Sequence, residues 1–257
     1  MIADSAAIAA CENLKSTYFE LGKAASASRT WQETGFNACI GDFAHPICNF
    51  AAGLNLDFVS AGRLADLAVS RPCFHIYNML SDVPSDCGQL LEQAGFHKSY
   101  TMDQMIGYGV EAAPVGNLVR SVSYSERRET SLFMVEQFFA RQEMSLRRKI
   151  AEATARAMSL ELLEYRKGNQ VLGAVMISLS GGMAGIYNLC VEGGNRNLGI
   201  GSKIVLEILA VCGSKGLNAT LQCEPRLQSW YGKLGFRRCG CVQVFSFPTP
   251  ASSVIMQ

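Results

Sequence analysis

The chain has 257 residues, enough for one large domain or two small ones with a substantial core in either case. Lys and Arg number 23 against 22 Asp and Glu, and a net charge of +1 gives none of the electrostatic footprint that dominates nucleic-acid binding, so a nucleic-acid partner is disfavoured. Ten cysteines are scattered along the chain, and the close pair Cys239 and Cys241 has neither C-x2-C spacing nor a matching second pair, which points to reduced, mostly buried thiols rather than a disulfide framework.

The first residues, MIADSAAIAACENLKS, lack a basic leader and carry Asp4 and Glu12 where a signal peptide needs an apolar core. No apolar run approaches ~20 residues, so no membrane span and a cytoplasmic protein are expected. Residues 4–24 are Ala-rich and read as a helix, and HPICNFAAGLNLDFV reads as a buried strand entered after Pro46. A short helix over about 61–69, a strand CFHIYNM, and a helix from the turn residues Pro84 and Ser85 to Gly95 follow, and FHKSYTMDQMIGYG reads as closing strands. Pro114 and Gly116 break any period in the next stretch, which divides the chain into 1–110, a linker 111–124, and 125–257.

Beyond the linker, Leu132, Phe133, Val135, Phe138 and Phe139 interleave with charged positions and suit one or two amphipathic helices. Three strands, LELLEYR, QVLGAVMISLS and MAGIYNLCVE, are separated by the turns KGN and GGM. A helix over about 199–214 carries Ile200, Ile204, Val205, Ile208 and Val211 on one side, and a strand NATLQC, a short helix into SWYGKLGF and a last strand CVQVFSF complete the chain. Helices alternate with strands, so this half is mixed α/β. LLEQAGF at 90–96 overlays WYGKLGF at 230–236 within a similar order of elements, so the chain reads as two copies of one fold.

Gly193 and Gly194 let the chain turn sharply after IYNLCV, and the helix that follows begins with unpaired N–H groups and the positive end of its dipole. That combination is an anion site, at which Gly199 and Gly201 leave the backbone bare and Arg196 can add a charge-assisted contact. A Walker loop is excluded because Ile200 stands where Lys is needed after Gly199, and a dinucleotide fingerprint is excluded because its third Gly falls on Ile204.

Arg196-Asn197-Leu198-Gly199-Ile200-Gly201 fits R-x-x-G-x-G and resembles the coenzyme A pyrophosphate loop of the GNAT acyltransferase superfamily. WYGKLGF, about 30 residues on, resembles the same family's Y-x-K-x-G-F signature, with TLQC as the intervening strand. The resemblance covers residues 118–247 well and 1–110 only in degenerate form. It implies an α/β (mixed α+β) fold of two tandem GNAT-like domains, each a mixed, mainly antiparallel central sheet flanked by helices. The first lacks the cofactor motif and the second binds an acyl-CoA.

The same resemblance implies an N-acyltransferase moving an acetyl group from acetyl-CoA, or another short acyl-CoA, to a primary amine by direct attack on the thioester, with no metal. Leu189, Cys190 and Val191 would offer backbone to the pantetheine arm and the thioester carbonyl, and the run from Arg196 through Ser202 would hold the pyrophosphate. Tyr231 matches the family position that protonates the departing sulfur, and it also reads as an aromatic packed against Trp230 and Phe236. Glu192, Glu224 and Glu164 are the candidate bases, each also readable as a solvated carboxylate. Glu224 stands where many family members carry Asn to contact the cofactor. Cys190 and Cys223 have no neighbouring His and read as buried thiols, and His45, His75 and His97 lack metal-ligand spacing.

Leu91 falls where Tyr231 stands, and no R-x-x-G-x-G occurs in 1–110, so that half is expected to wall the acceptor cleft or support the second. The acceptor is a small molecule or a protein amine, and a homodimer is left open. A non-catalytic acyl-CoA sensor, or a fold that has lost its ligand, are the rival readings.

Overall fold

In the computed structural model, which describes residues 5–113 and 115–248, the Ala-rich run forms helix α1, Ser5–Ala24. Asp4 and Pro114 lie outside the described residues. Ala7, Ala10, Cys11, Leu14 and Leu21 of α1 are buried at helical spacing. Their small size brings the helix close to the sheet, where a Cβ added at Gly22 would stand 2.6 Å from Cys39 Sγ.

A hairpin not anticipated from the sequence follows: β1 (Arg29–Glu33) and β2 (Phe36–Ile40), antiparallel. The apolar stretch expected as one long strand yields only β3 (Asn49–Ala52), and α2 starts at Phe58 rather than near 61. The early start has a local cause, a capping box in which the Asp57 carboxylate accepts from Ser60 N and the Ser60 hydroxyl accepts from Asp57 N. α2 runs to Val69, and β4 (His75–Asn78), α3 (Cys87–Gln93) and a single long β5 (His97–Tyr108) follow.

Residues 111–124, read as a linker, contain the short strand β6 (Leu118–Arg120) and the Ser123 cap of α4 (Tyr124–Phe138). Then come α5 (Met144–Arg156), the antiparallel strands β7 (Glu161–Lys167), β8 (Gln170–Ser180) and β9 (Met183–Val191), α6 (Ile200–Ser214), β10 (Asn218–Cys223), α7 (Gln228–Lys233) and β11 (Phe236–Ser246).

Among the described residues, 11 strands form one sheet in the order β1-β2-β3-β4-β11-β5-β10-β9-β8-β7-β6. Its two middle strands are interleaved: β5 pairs with β10, β11 pairs with β4, and β5 and β11 pair antiparallel with each other from Phe236↔Gly107 to Ser246↔His97. Each closing strand therefore completes the sheet of the other half. The mixed α+β architecture with a mostly antiparallel sheet stands, but the two halves share it rather than owning one each.

Helix α1 adds a second tie. Asn13, fully buried, donates from Nδ2 to Ser178 O (3.1 Å) and Ser180 Oγ (3.0 Å) of β8, and its Oδ1 accepts from Tyr187 Oη of β9 (2.7 Å). Gly185 is obligatory beneath this knot, because a Cβ there would lie 2.0 Å from Asn13 Oδ1. On one face of the sheet Leu14 of α1 and Met134 of α4 pack with Leu162, Met176 and Val242; on the other, Ile204, Val205 and Ile208 of α6 cover Val175, Ile186 and Leu221. No disulfide links the ten cysteines, and seven of them are buried.

Candidate active site

β9 and β10 run parallel but pair only over three residues, Asn218↔Met183, Ala219↔Ala184 and Thr220↔Gly185. Beyond them β9 follows β8 to Val191 while β10 follows β5 to Cys223, and a wedge opens between the two. A bulge in β9 accompanies the divergence. Tyr187 faces Met176 and Cys190 faces Ala174, so Asn188 and Leu189 together oppose Val175, and Asn188 takes φ +50°. An extra residue of this kind bends its strand. Leu189, Cys190 and Val191 consequently turn their outer backbone edge to the wedge, with no strand on that side among the described residues.

The chain then passes through a 3-10 turn, Gly193–Asn195, and reaches α6 through two left-handed residues, Asn197 (φ +63°) and Gly199 (φ +76°). Gly199 is the N-cap and no side chain caps the helix, so the N–H groups of Ile200, Gly201 and Ser202 face outward with the dipole behind them. Gly199 is demanded by its backbone conformation. Gly201 is not demanded by packing, since an added Cβ would sit at ordinary contact distance, 3.5 Å, from the Trp230 ring. Arg196 is exposed, donating from Nε to Val191 O (3.2 Å) and from a terminal nitrogen to Gln137 Oε1 of α4 (3.4 Å), and Leu198 is exposed beside it.

Tyr231 on α7 is buried, edge-on to Trp230 (4.5 Å between ring centres) and to Phe236 (5.7 Å). Both sequence readings of this residue are thus compatible: it packs with those aromatics and still carries a hydroxyl. Burial, and then the neighbouring Cys223, push its pKa well above the ordinary phenol value, so the proton stays on at neutral pH.

Residues 116–247, just over half of the chain, match the family model described as acetyltransferase (GNAT) domain. The chain belongs to the GNAT family. Solved structures agree at the level of fold. A GCN5-related N-acetyltransferase from Kribbella flavida is 11% identical with a TM-score of 0.65, over 97% of this chain and 98% of that one. One from Sphaerobacter thermophilus is 13% identical, TM-score 0.51, over 85% and 84%. A tandem GNAT protein from the clavulanic acid biosynthesis pathway is 12% identical, TM-score 0.54, over 86% and 83%. No curated protein matches.

In this GNAT protein the three carboxylates singled out from the sequence are all engaged. Glu192 accepts from Asn195 Nδ2 and from Gln170 Nε2 (3.4 Å). Glu224 is exposed and paired with Arg226 at 2.5 Å, whose hydrogen bond holds its carboxyl below the usual range. Glu164 is buried and accepts from Thr130 Oγ1 and Arg166 Nε, both at 2.7 Å. Burial pushes the Cys190 thiol up to about 12 and the Cys223 thiol to about 11, which makes thiols of both rather than nucleophilic thiolates. Among the described residues no cluster of three or more His, Cys, Asp or Glu is placed to hold a metal ion, and no helix is long and apolar enough to cross a membrane.

Sequence reasoning missed a cavity of about 240 Å³ on the α1/α4 face, walled from both halves of the chain. Tyr18, Tyr77 and Tyr100 enter from one half and Phe138 and Phe139 from the other, and the bulge residue Asn188 belongs to both the cavity and the wedge. The one available signal was Asn188 itself, a polar residue that tolerates φ > 0 inside an otherwise apolar strand.

The first half has the same order of elements, β3-α2-β4-α3-β5, but a different interior. Asn55 bridges Val83 in parallel beyond the end of β3, and the buried Asp82 carboxylate accepts from Leu54 N (3.0 Å) and Met79 N (2.7 Å). The space corresponding to the wedge is stitched by the chain's own loop.

Proposed function

We propose that the protein is an N-acyltransferase that uses acetyl-CoA to acylate a primary amine, with the cofactor held by residues 125–257 and residues 1–110 acting as a degenerate GNAT-like partner that walls the acceptor cavity. The observation that carries this reading is the coincidence of an open β9/β10 wedge with an uncapped helix entrance at its mouth. The residues fit the cofactor: bare N–H groups at Ile200, Gly201 and Ser202 and the Arg196 guanidinium suit a pyrophosphate, within the loop that Asn197 and Leu198 complete. The outer backbone of Leu189, Cys190 and Val191 suits the amides of a pantetheine arm. When bound, the thioester supplies an activated acyl carbon and a sulfur leaving group.

Tyr231, buried and with its pKa raised, keeps its proton at Oη for the departing sulfur. The backbone N–H groups along the β9 edge polarise the carbonyl. Glu192 and Glu224 follow the ends of the two diverging strands, though neither lines the cavity. That last fact favours a second reading, an acyl-CoA sensor without turnover. Calorimetry with acetyl-CoA, followed by thiol release across an amine panel, separates the two: binding with transfer supports the enzyme, binding without transfer to any amine supports the sensor, and no binding removes both.

A further inference from the structure

The cavity's chemistry restricts what can be acylated. Among the described residues its lining holds no Asp, Glu, Lys or Arg. Its polar groups are tyrosine hydroxyls, Thr154, Asn188 and His45. His45 accepts at Nδ1 from Ile47 N (3.1 Å), and burial lowers its pKa to about 4, so it is an uncharged ring at neutral pH. Burial raises the pKa of each of Tyr18, Tyr77 and Tyr100, so they too are neutral. Thr154 already donates to Ile150 O (3.0 Å).

An alkylammonium entering this space would leave water without gaining a counter-ion, and burying such a charge is strongly unfavourable. It would also find no carboxylate in the lining to take its proton. Aromatic rings can hold an ammonium by cation–π attraction, but the held form has no lone pair with which to attack. An amine that is already neutral in water meets neither obstacle.

We propose that the acceptor is a weakly basic, apolar primary amine of the aromatic-amine class, seated among the Tyr18, Tyr77, Tyr100, Phe138 and Phe139 rings with its nitrogen toward Asn188. This rests on the acyltransferase reading above. Size agrees: a cavity of about 150 Å³ holds one benzene, and about 240 Å³ leaves room for substituents. In the transfer the nitrogen lone pair forms the C–N bond to the acyl carbon and the C–S bond breaks. One amine proton is lost to water or an adjacent acceptor, the sulfur takes up the Tyr231 proton, and Tyr231 is reprotonated from solvent. The products are an anilide and the coenzyme thiol.

Two isomers of equal size test it: p-toluidine, neutral at pH 7, and benzylamine, protonated there. Calorimetric titration of each into the full chain without cofactor should show p-toluidine bound at least about tenfold more tightly at pH 7, a difference of ~1.4 kcal/mol. The gap should close as rising pH neutralises benzylamine. With acetyl-CoA present, thiol release should follow the same preference. Asn188→Asp, a near-isosteric change at a position whose φ suits Asp, places a carboxylate in the lining and should shift binding toward benzylamine. Equal or tighter binding of benzylamine to the wild-type chain, or binding of neither isomer, overturns the proposal. If p-toluidine binds while acetyl-CoA does not, the cavity assignment stands and the transferase reading falls.

Discussion

Helices α2 and α6 occupy the same place in two similar runs of elements, yet at the entrance of α2 the Asp57 carboxylate already sits 2.7 Å from Ser60 N, while at the entrance of α6 Gly199 brings no side chain at all. The strands beside them differ in the same sense. Asp82 and Val83 close the space beyond β3, and among the described residues no strand pairs with the outer edge of β9 beyond Gly185. One half satisfies its helix terminus and strand edge internally; the other leaves both open. Open hydrogen-bonding backbone at the surface is unremarkable; two such openings converging on one wedge are what the proposed function rests on, since they suit a ligand with phosphates at one end and amides along its length.

The largest expected effect comes from making α6 resemble α2. Gly199→Asp puts a carboxylate at the uncapped terminus, in a left-handed conformation that Asp tolerates at a cost of about 1–2 kcal/mol. Acetyl-CoA affinity measured by calorimetry should fall at least about 100-fold, or ~2.7 kcal/mol, while circular dichroism stays unchanged. Retained affinity would remove the helix entrance from the site. Tyr231→Phe comes next: it keeps the packing on Trp230 and Phe236 and removes the proton. Turnover should drop about 100-fold with acetyl-CoA affinity within about twofold of wild type, and unchanged turnover would confine Tyr231 to packing.

The local half of this contrast was legible in the sequence. R-x-x-G-x-G and Y-x-K-x-G-F are contiguous signals whose meaning depends on backbone freedom and on one strand–helix junction, and the structure puts Arg196 to Ser202 at that junction. What was not legible is non-local. The exchange of β5 and β11 depends on which of several similar edges pair in three dimensions, and no period in either strand specifies it. The hairpin β1–β2 escaped because Arg29–Glu33 is exposed at nearly every position and lacks an apolar alternation. The cavity escaped for a related reason, since its rings come from α1, β4, β5 and α4, and each ring alone reads as core.

A third experiment uses the histidines, all three of which lie in the first half. Burial lowers His45 and His75 to about 4, with the charge of His75 adding to the effect on His45. The unfolded chain takes up these protons near pH ~6.5. Between those values it binds more protons than the native chain, so stability falls as pH drops from about 6.5 to about 4, by ~1.4 kcal/mol per pH unit for each histidine. His75→Phe should remove about half of that slope in urea denaturation, and at little cost at pH 7, because His75 Nδ1 is buried without a partner among the described residues and its ring already packs edge-on to Tyr77 and Tyr100. An unchanged slope would show that the acid sensitivity lies elsewhere.

The smallest effect is the converse of the first. Asp57→Ala strips the cap from α2 and exposes its terminal N–H groups, which should lower Tm by about 2–4 °C. It should not create affinity for acetyl-CoA. The Asp82 carboxylate still occupies Leu54 N and Met79 N, and the Asn55–Val83 bridge still joins the chain beyond β3, so the wedge stays shut even with its helix uncapped. If Asp57→Ala alone gained measurable acetyl-CoA binding, the cap rather than the stitched loop would be what separates the two halves, and an open strand edge would cease to be a requirement of the site.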